Sequence, residues 1–245
     1  MGKAFWLDVE TTGVDPESCA IVQLAGIVEI GGKPVEEVEI KMRPFDGAKI
    51  SMEALAVNGM TLEQANAFEP WEKGMKKLIK LFDQYVDRYD KQDKMVMMGY
   101  RVDFDSSFLR AYFKRMGGDI AKFGYGSRFF NCPVDVMTLV GMHVLDQDIR
   151  LQNFKLSTVC AYFGIELDAH DALNDIRATR RLYQVLREKI SGNGVRRGGV
   201  VNLVTAEGKR AVVHDASVAT QGPNSAQTSD GSPLGSSRAT QGRLF

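Results

Sequence analysis

FWLDVETTG, Phe5 to Gly13, is the stretch whose reading decides the fold. Its apolar residues predict a buried β-strand. Asp8 and Glu10 stand two apart within it, so both carboxylates point to one face of that strand. A buried carboxylate is costly unless positive charge stands beside it. No Lys or Arg lies between Ala4 and Gly13, so the charge that holds this pair must come from elsewhere in the fold.

The whole chain has an ordinary globular composition: 245 residues, 44% hydrophobic and 25% charged, enough for one sizeable core. No apolar run is long enough to span a bilayer, and no membrane partner is expected. MGKAFWLDVE offers no signal-peptide core, because charge arrives at Asp8. Cys19, Cys132 and Cys160 are odd in number and widely spaced, with neither a zinc pattern nor a disulfide framework; a reducing cytoplasm is expected. Net charge is zero but unevenly spread. From Ser191 onward six basic residues stand against three acids (Glu207, Asp215, Asp230), leaving that segment at +3 and the body at −3. An acidic body does not advertise a nucleic-acid binder, but it suits a site that collects metal cations.

Outward from the first strand, expected from Lys3 to Val9, AIVQLAGIVEI (Ala20–Ile30) reads as a second strand and Gly31-Gly32 as a tight turn. PVEEVEIKMRP (Pro34–Pro44) reads as a third, its alternation broken at Glu36-Glu37. An antiparallel meander is expected. SMEALAVNGMT predicts one short helix ending near Gly59. Trp71, Met75, Leu78, Ile79, Phe82 and Val86 recur at helical spacing. Met95–Gly99 returns as a strand, DFDSSFLRAYFKRMGG as a helix closed by Gly117-Gly118, and RFFNCPVDV as a short strand. Helices follow at 136–145, 156–163 and 172–190. The expected fold class is α/β, or mixed α+β, with one domain over residues 1–190. Residues 191–245 read as a flexible tail with a weak hairpin at about 199–215; its Ser-, Gly-, Thr- and Gln-rich end cannot bury enough apolar surface to order itself.

If Asp8 and Glu10 need a cation, further carboxylates should converge on it, because hard divalent ions take oxygen ligands. Asp105, in VDFDSSFL, follows a strand at a helix start, where α/β folds place ligands. The alternative is that Asp105 or Asp103 simply caps the helix. Asp175 falls on the apolar stripe of the last helix, with Ala172, Ile176, Thr179, Leu182, Tyr183 and Leu186; the alternative is a first-turn acid answering the helix dipole. His170 lies five residues before Asp175. It reads either as a capping or surface residue or, beside a four-carboxylate site, as a proton acceptor.

With Asp-x-Glu on a strand, Asp at a helix start and His-x-Ala-x-x-Asp opening a late helix, the sequence resembles the DnaQ-like DEDDh exonucleases, the family holding the proofreading subunits of bacterial replicases. LDVETTG resembles the first motif, VDFDSSFL the second and HDALND the third, with His170 marking the h subtype. ALAVNGMT and KLSTVCAYFGI resemble the connecting segments, so the likeness covers about Lys3 to Arg187. It implies a ribonuclease H-like fold, a mixed central sheet flanked by helices. It also implies a 3′→5′ exonuclease releasing nucleoside 5′-monophosphates. Two divalent cations, Mg²⁺ or Mn²⁺, would be held by Asp8, Glu10, Asp105 and Asp175, with His170 as general base. Thr11, Thr12 and Gly13 are expected beside the terminal nucleotide, where backbone amides and a missing side chain allow close approach. Asn58, Val57 and Phe104 are further substrate candidates, the last two by packing on bases or sugars, with core positions as the alternative. Two departures stand out: Tyr100-Arg101 replaces the family's frequent His-Asn, and Asn58 stands where His is common. Arg101 is expected to pair with a local acid; the alternative is a phosphate.

QGRLF, Gln241 to Phe245, places two large apolar residues after a polar tether. It resembles the short sliding-clamp-binding motif of bacterial replication proteins. Gln241, Leu244 and Phe245 fit that motif, while Gly242 and Arg243 depart from it. The expected partners are therefore single-stranded DNA or a primer 3′ end, a sliding clamp and a DNA polymerase. RNA is the alternative substrate, and a non-catalytic clamp–polymerase bridge is the alternative of a different class; the complete acid set with His170 argues against a bridge.

Overall fold

The computed structural model describes residues 2–167, 171–190, 200–204 and 210–214. His170 and Gln241–Phe245 lie outside the described residues. In chain order the elements are β1 (Lys3–Thr11), β2 (Ile21–Ile30), β3 (Lys33–Lys41), α1 (Met52–Val57), α2 (Leu62–Ala67), α3 (Trp71–Tyr85), β4 (Val96–Gly99) and α4 (Val102–Arg115). Then come α5 (Gly118–Phe123), β5 (Val134–Asp135), α6 (Val136–Asp146), α7 (Leu156–Phe163) and α8 (Ala172–Ile190). The strands β6 (Val200–Val204) and β7 (Arg210–His214) pair antiparallel in a sheet of their own.

The first three strands form the antiparallel meander. Gly31 and Gly32 turn it at φ +59° and +81°, a two-residue hairpin that needs positive φ at both positions. β4 joins β1 in parallel and β5 joins β4 in parallel, giving the order β3-β2-β1-β4-β5. β1 is thus central and buried on both faces. Phe5, Leu7 and Val9 face a core shared with α3 and α4, where Phe5 meets Phe82 edge-on at 4.8 Å. Ala4 and Trp6 face the opposite core, under α6, α7 and α8, where Trp6 meets Tyr183 at 5.3 Å. Asp8 and Glu10 continue the Trp6 side by strand alternation, so they emerge from the sheet under α8. Helices on both faces of a mixed sheet make the ribonuclease H-like arrangement.

The broken alternation in β3 has a physical cause. Val28 pairs with Glu36 and Glu29 with Pro34, so Val35 is an extra, bulged residue. Glu36 and Glu37 then reach helices on opposite faces: the Tyr85 hydroxyl donates to Glu36 at 2.7 Å, and Arg177 pairs with Glu37. The short helix expected to end near Gly59 is α1, which stops at Val57, and a second helix, α2, follows behind a capping box formed by Thr61 and Gln64. Gly117-Gly118 closes α4 but also opens α5. RFFNCPVDV yields only the two residues of β5, because Phe129 turns into the core and leaves a single bridge to Met95.

Candidate active site

The site forms where β1 leaves the sheet. Glu10 pairs with Gln23 and Thr11 with Ile21, so Val22 is an extra residue in β2 and the sheet twists beside Glu10. The bulged strand keeps its hydrogen bonds because Ile21 N donates to the buried Tyr112 hydroxyl at 2.8 Å. Opposite the bulge, α8 brings down its first turn. Asp171 caps it, its Oδ1 accepting from Asn174 N at 3.0 Å, and Asp175 N donates to the Asp171 carbonyl at 2.9 Å. Asp175 therefore sits in the first turn and also meets the acids of β1. One carboxylate oxygen each from Asp8, Glu10 and Asp175 lie within 4.8 Å of one another, all three residues being partly buried.

Asp105 stands behind this trio and is 4% exposed. Its Oδ1 accepts from Val9 N at 3.1 Å, the amide between the two carboxylates of β1. Neither Asp103 nor Asp105 is the N-cap of α4; that position is Arg101, whose side chain makes no capping bond. Burial first, then the charges of Asp105, Glu10, Asp175 and Asp171, push the Asp8 carboxyl well above the usual carboxylate range. Burial likewise raises Asp105; the amides of Val9 and of Asp105 itself oppose it, and Glu10 and Asp135 add to it. Without a counter-ion the cluster works against its own ionisation.

A divalent cation fits this donor set. Mg²⁺ takes oxygens at about 2.0–2.1 Å, so one ion spans oxygens about 4.2 Å apart, close to the spacing here. The chemistry is also right, since the cluster offers only carboxylate oxygen.

The residues after β1 serve the loop itself. Thr12 is fully buried; its hydroxyl donates to Lys49 O at 2.7 Å and accepts from Ala20 N at 2.8 Å, and its own amide donates to Ala20 O. The Thr11 hydroxyl donates to Gly13 O at 2.7 Å. A Cβ on Gly13 would lie 2.6 Å from Cys19 Sγ, so the missing side chain there admits Cys19. Asn58 Nδ2 donates to Thr11 O at 3.0 Å and Ser51 N to Thr12 O at 2.8 Å, which ties both ends of α1 to the strand that carries the acids. Val57 is 64% exposed at the end of α1, so it is not a core residue. Phe104 is partly buried and leans on Phe108 at 5.0 Å.

At the second departure, the Tyr100 hydroxyl donates to Phe154 O at 2.6 Å. Arg101 corrects an expectation. Among the described residues its guanidinium pairs with no acid, and its backbone amide donates to Asp135 Oδ1 at 2.9 Å. Asp135 also caps α6 by accepting from Met137 N at 3.0 Å. Asp135, Asp171 and Tyr112 were not singled out from the sequence. An Asp directly before an apolar helical run is an N-cap signal that could have found the first two.

Residues 5–183 match the model of the RNase_T family, described as exonuclease. Ribonuclease T of Yersinia pseudotuberculosis is 28% identical over 194 residues, covering 72% of this chain and 80% of that protein. A PolC-type DNA polymerase III of Thermotoga maritima is 22% identical over 190 residues, 77% of this chain but 12% of that one. Among solved structures, E. coli exonuclease I with a dT13 oligonucleotide aligns at TM-score 0.63 and 21% identity, over 79% of this chain and 43% of that one. The chain thus spans about two-fifths of the length of the exonuclease I structures it resembles. The family match takes in the strand with Asp8 and Glu10, the helix with Asp105 and the helix start with Asp175, and the chain belongs to the DnaQ-like, RNase T exonuclease family.

Proposed function

We propose that this 3′→5′ exonuclease removes nucleotides from the 3′ end of single-stranded DNA, in replication proofreading or repair. The observation that carries this reading is the convergence of Asp8, Glu10 and Asp175 within 4.8 Å, with buried Asp105 behind them. Asp8, Glu10 and Asp175 would hold divalent cations, Mg²⁺ or Mn²⁺, two in the full site, with Asp105 completing the set. When bound, the cations neutralise the phosphodiester and lower the pKa of water.

The chain's own residues do the rest. Asp105 fixes β1 through Val9 N, so Asp8 and Glu10 keep their spacing. An imidazole nitrogen of His170 takes the proton of the attacking water. The water oxygen bonds to phosphorus, the bond from phosphorus to the 3′ oxygen breaks, and that oxygen leaves with a proton as the new 3′ hydroxyl. The released product is a nucleoside 5′-monophosphate. Exposed Val57 and partly buried Phe104 offer apolar surface to the terminal bases, a contact that tolerates any sequence. Thr11, Thr12, Gly13 and Asn58 shape the loop at which the terminal nucleotide docks.

A second reading, RNA as substrate, is supported by the ribonuclease T relatives, which align over 80% of their own length. Matched 5′-labelled DNA and RNA oligonucleotides, mixed in one reaction with Mg²⁺ or Mn²⁺, decide between them. The proposal expects the DNA ladder to shorten first; faster loss of RNA assigns the enzyme to RNA. Gln241, Leu244 and Phe245 are proposed to tether the exonuclease to a sliding clamp, and so to a polymerase, raising its local concentration at a primer end. Equal clamp recovery with and without Leu244-Phe245 would sink the tether.

A further inference from the structure

Arg101 is not absorbed by the mechanism above. It occupies the turn between β4 and α4. β4 runs parallel to β1, pairing Met98 with Trp6, so the chain leaves β4 beside the end of β1 that carries Asp8 and Glu10. Asp105 lies four residues on, one helical turn later, and is bonded to Val9 of β1. Arg101 thus lies between the end of β4 that neighbours β1 and the first turn of α4, which carries Asp105.

Its backbone is left-handed, φ 58° and ψ 41°, a region a long side chain enters only when the surroundings hold it there. Asp135 does the holding, bonded to Arg101 N on one side and Met137 N on the other. The side chain is exposed, and among the described residues no carboxylate lies within ion-pair distance of its guanidinium. Three arginines elsewhere in the fold do take acids, Arg128 with Asp83, Arg177 with Glu37 and Arg180 with Glu29, while Arg110 and Arg115 lie over the rings of Tyr125 and Phe45. An exposed cation on a backbone held in this way, without an acid partner among the described residues, is available to an anion brought by a ligand.

We propose that Arg101 grips one backbone phosphate of the nucleic-acid strand whose 3′ end enters the acid cluster. The proposal rests on the exonuclease reading above. A guanidinium suits the task because its fork binds two phosphate oxygens, and it offsets the repulsion between the strand and the acid cluster. The contact is made equally in ground and transition states, so it sets KM rather than kcat.

The test uses the full-length enzyme with Mg²⁺, an oligonucleotide ladder assay, and substrates carrying one neutral methylphosphonate linkage at successive positions from the 3′ end. Arg101→Gly is the main variant, because glycine accepts the left-handed backbone and keeps the amide for Asp135. Its Tm should equal or exceed the wild-type value. KM should rise about tenfold, the scale of one charge-assisted hydrogen bond, with kcat within about twofold. Its salt dependence should weaken by about 0.7 in the slope of log affinity against log salt. One methylphosphonate position should weaken the wild type and leave Arg101→Gly unaffected, and Arg101→Lys should recover part of the loss. Arg187→Ala, at the far end of α8, removes an equal charge and should show no such position. Wild-type KM in Arg101→Gly, or a KM loss tied to no single linkage, overturns this inference while the exonuclease reading stands. A wild type that cleaves nothing overturns both.

Discussion

Asp8→Asn should make the metal-free protein more stable while abolishing its chemistry. The substitution keeps the shape of the side chain and removes one of three charges whose oxygens lie within 4.8 Å. Two unit charges at that spacing repel by about 1 kcal/mol at the dielectric of water and about 3.5 kcal/mol at an effective dielectric of 20. Asparagine relieves two such pairs, while proton uptake by the cluster has already relieved part, so about 2 kcal/mol is expected. For a domain of this size that is a rise in Tm of about 4–8 °C in chelator. The sign with pH follows from the Asp8 carboxyl being held well above its usual range. Such a group favours the fold while protonated, and that stability is lost as pH rises through its folded-state pKa. The gap between variant and wild type should therefore close in acid and open toward neutrality. Added Mg²⁺ or Mn²⁺ should reverse the order, because an ion at one hundred times its Kd stabilises the wild type by about 2.7 kcal/mol and the variant far less. Differential scanning fluorimetry across pH, with chelator and with metal, measures all of this. An Asp8→Asn protein that melts below the wild type in chelator, with an equal metal shift, refutes the picture of a repelling cluster completed by cations.

His170→Ala should lower kcat by about 10²–10⁴-fold while keeping the metal-induced rise in Tm, since it removes the proton acceptor and none of the carboxylates; a lost metal shift would place His170 among the ligands instead. Asp105→Ala should cost about 1–3 kcal/mol in chelator by stranding the Val9 amide, whereas Asp105→Asn keeps an acceptor, takes one charge out of the cluster and should melt at or above the wild type. Both should be inactive, and urea titrations monitored by circular dichroism separate them. Gly13→Ala should cost about 1–3 kcal/mol through the 2.6 Å approach of its Cβ to Cys19 Sγ, and adding Cys19→Ala should recover most of it in a double-mutant cycle.

The site was legible in the sequence because its chemistry contradicts its surroundings. Acids on a buried strand, and an acid on the apolar stripe of a helix, are expensive unless they share a purpose, and the structure brings Asp8, Glu10 and Asp175 together. The strands were legible for the same reason that they pair: alternation and a Gly-Gly turn are local signals. Bulges are not local. The extra residues Val22 and Val35 exist only relative to a partner strand, so the first left no trace in the pattern and the second showed only as a lapse at Glu36-Glu37. β5 was overread because RFFNCPVDV is apolar for two different reasons, a core anchor at Phe129 and a short edge pairing at Val134. Val57 was ambiguous because burial of a short helix depends on what it leans against; α1 buries Leu55 and leaves Val57 in solvent. Arg101 could not be placed because its backbone conformation is imposed by Asp135, thirty-four residues away.

The most direct test of the central claim is the product. A 5′-labelled single strand and a 3′-labelled copy, incubated with Mg²⁺, should give a ladder from the first and labelled nucleoside 5′-monophosphate from the second. Neither should appear with chelator or with Asp175→Asn. Release of the 5′ label first, cleavage within the strand, or undiminished activity in chelator or in Asp175→Asn would contradict an exonuclease that works through this carboxylate cluster.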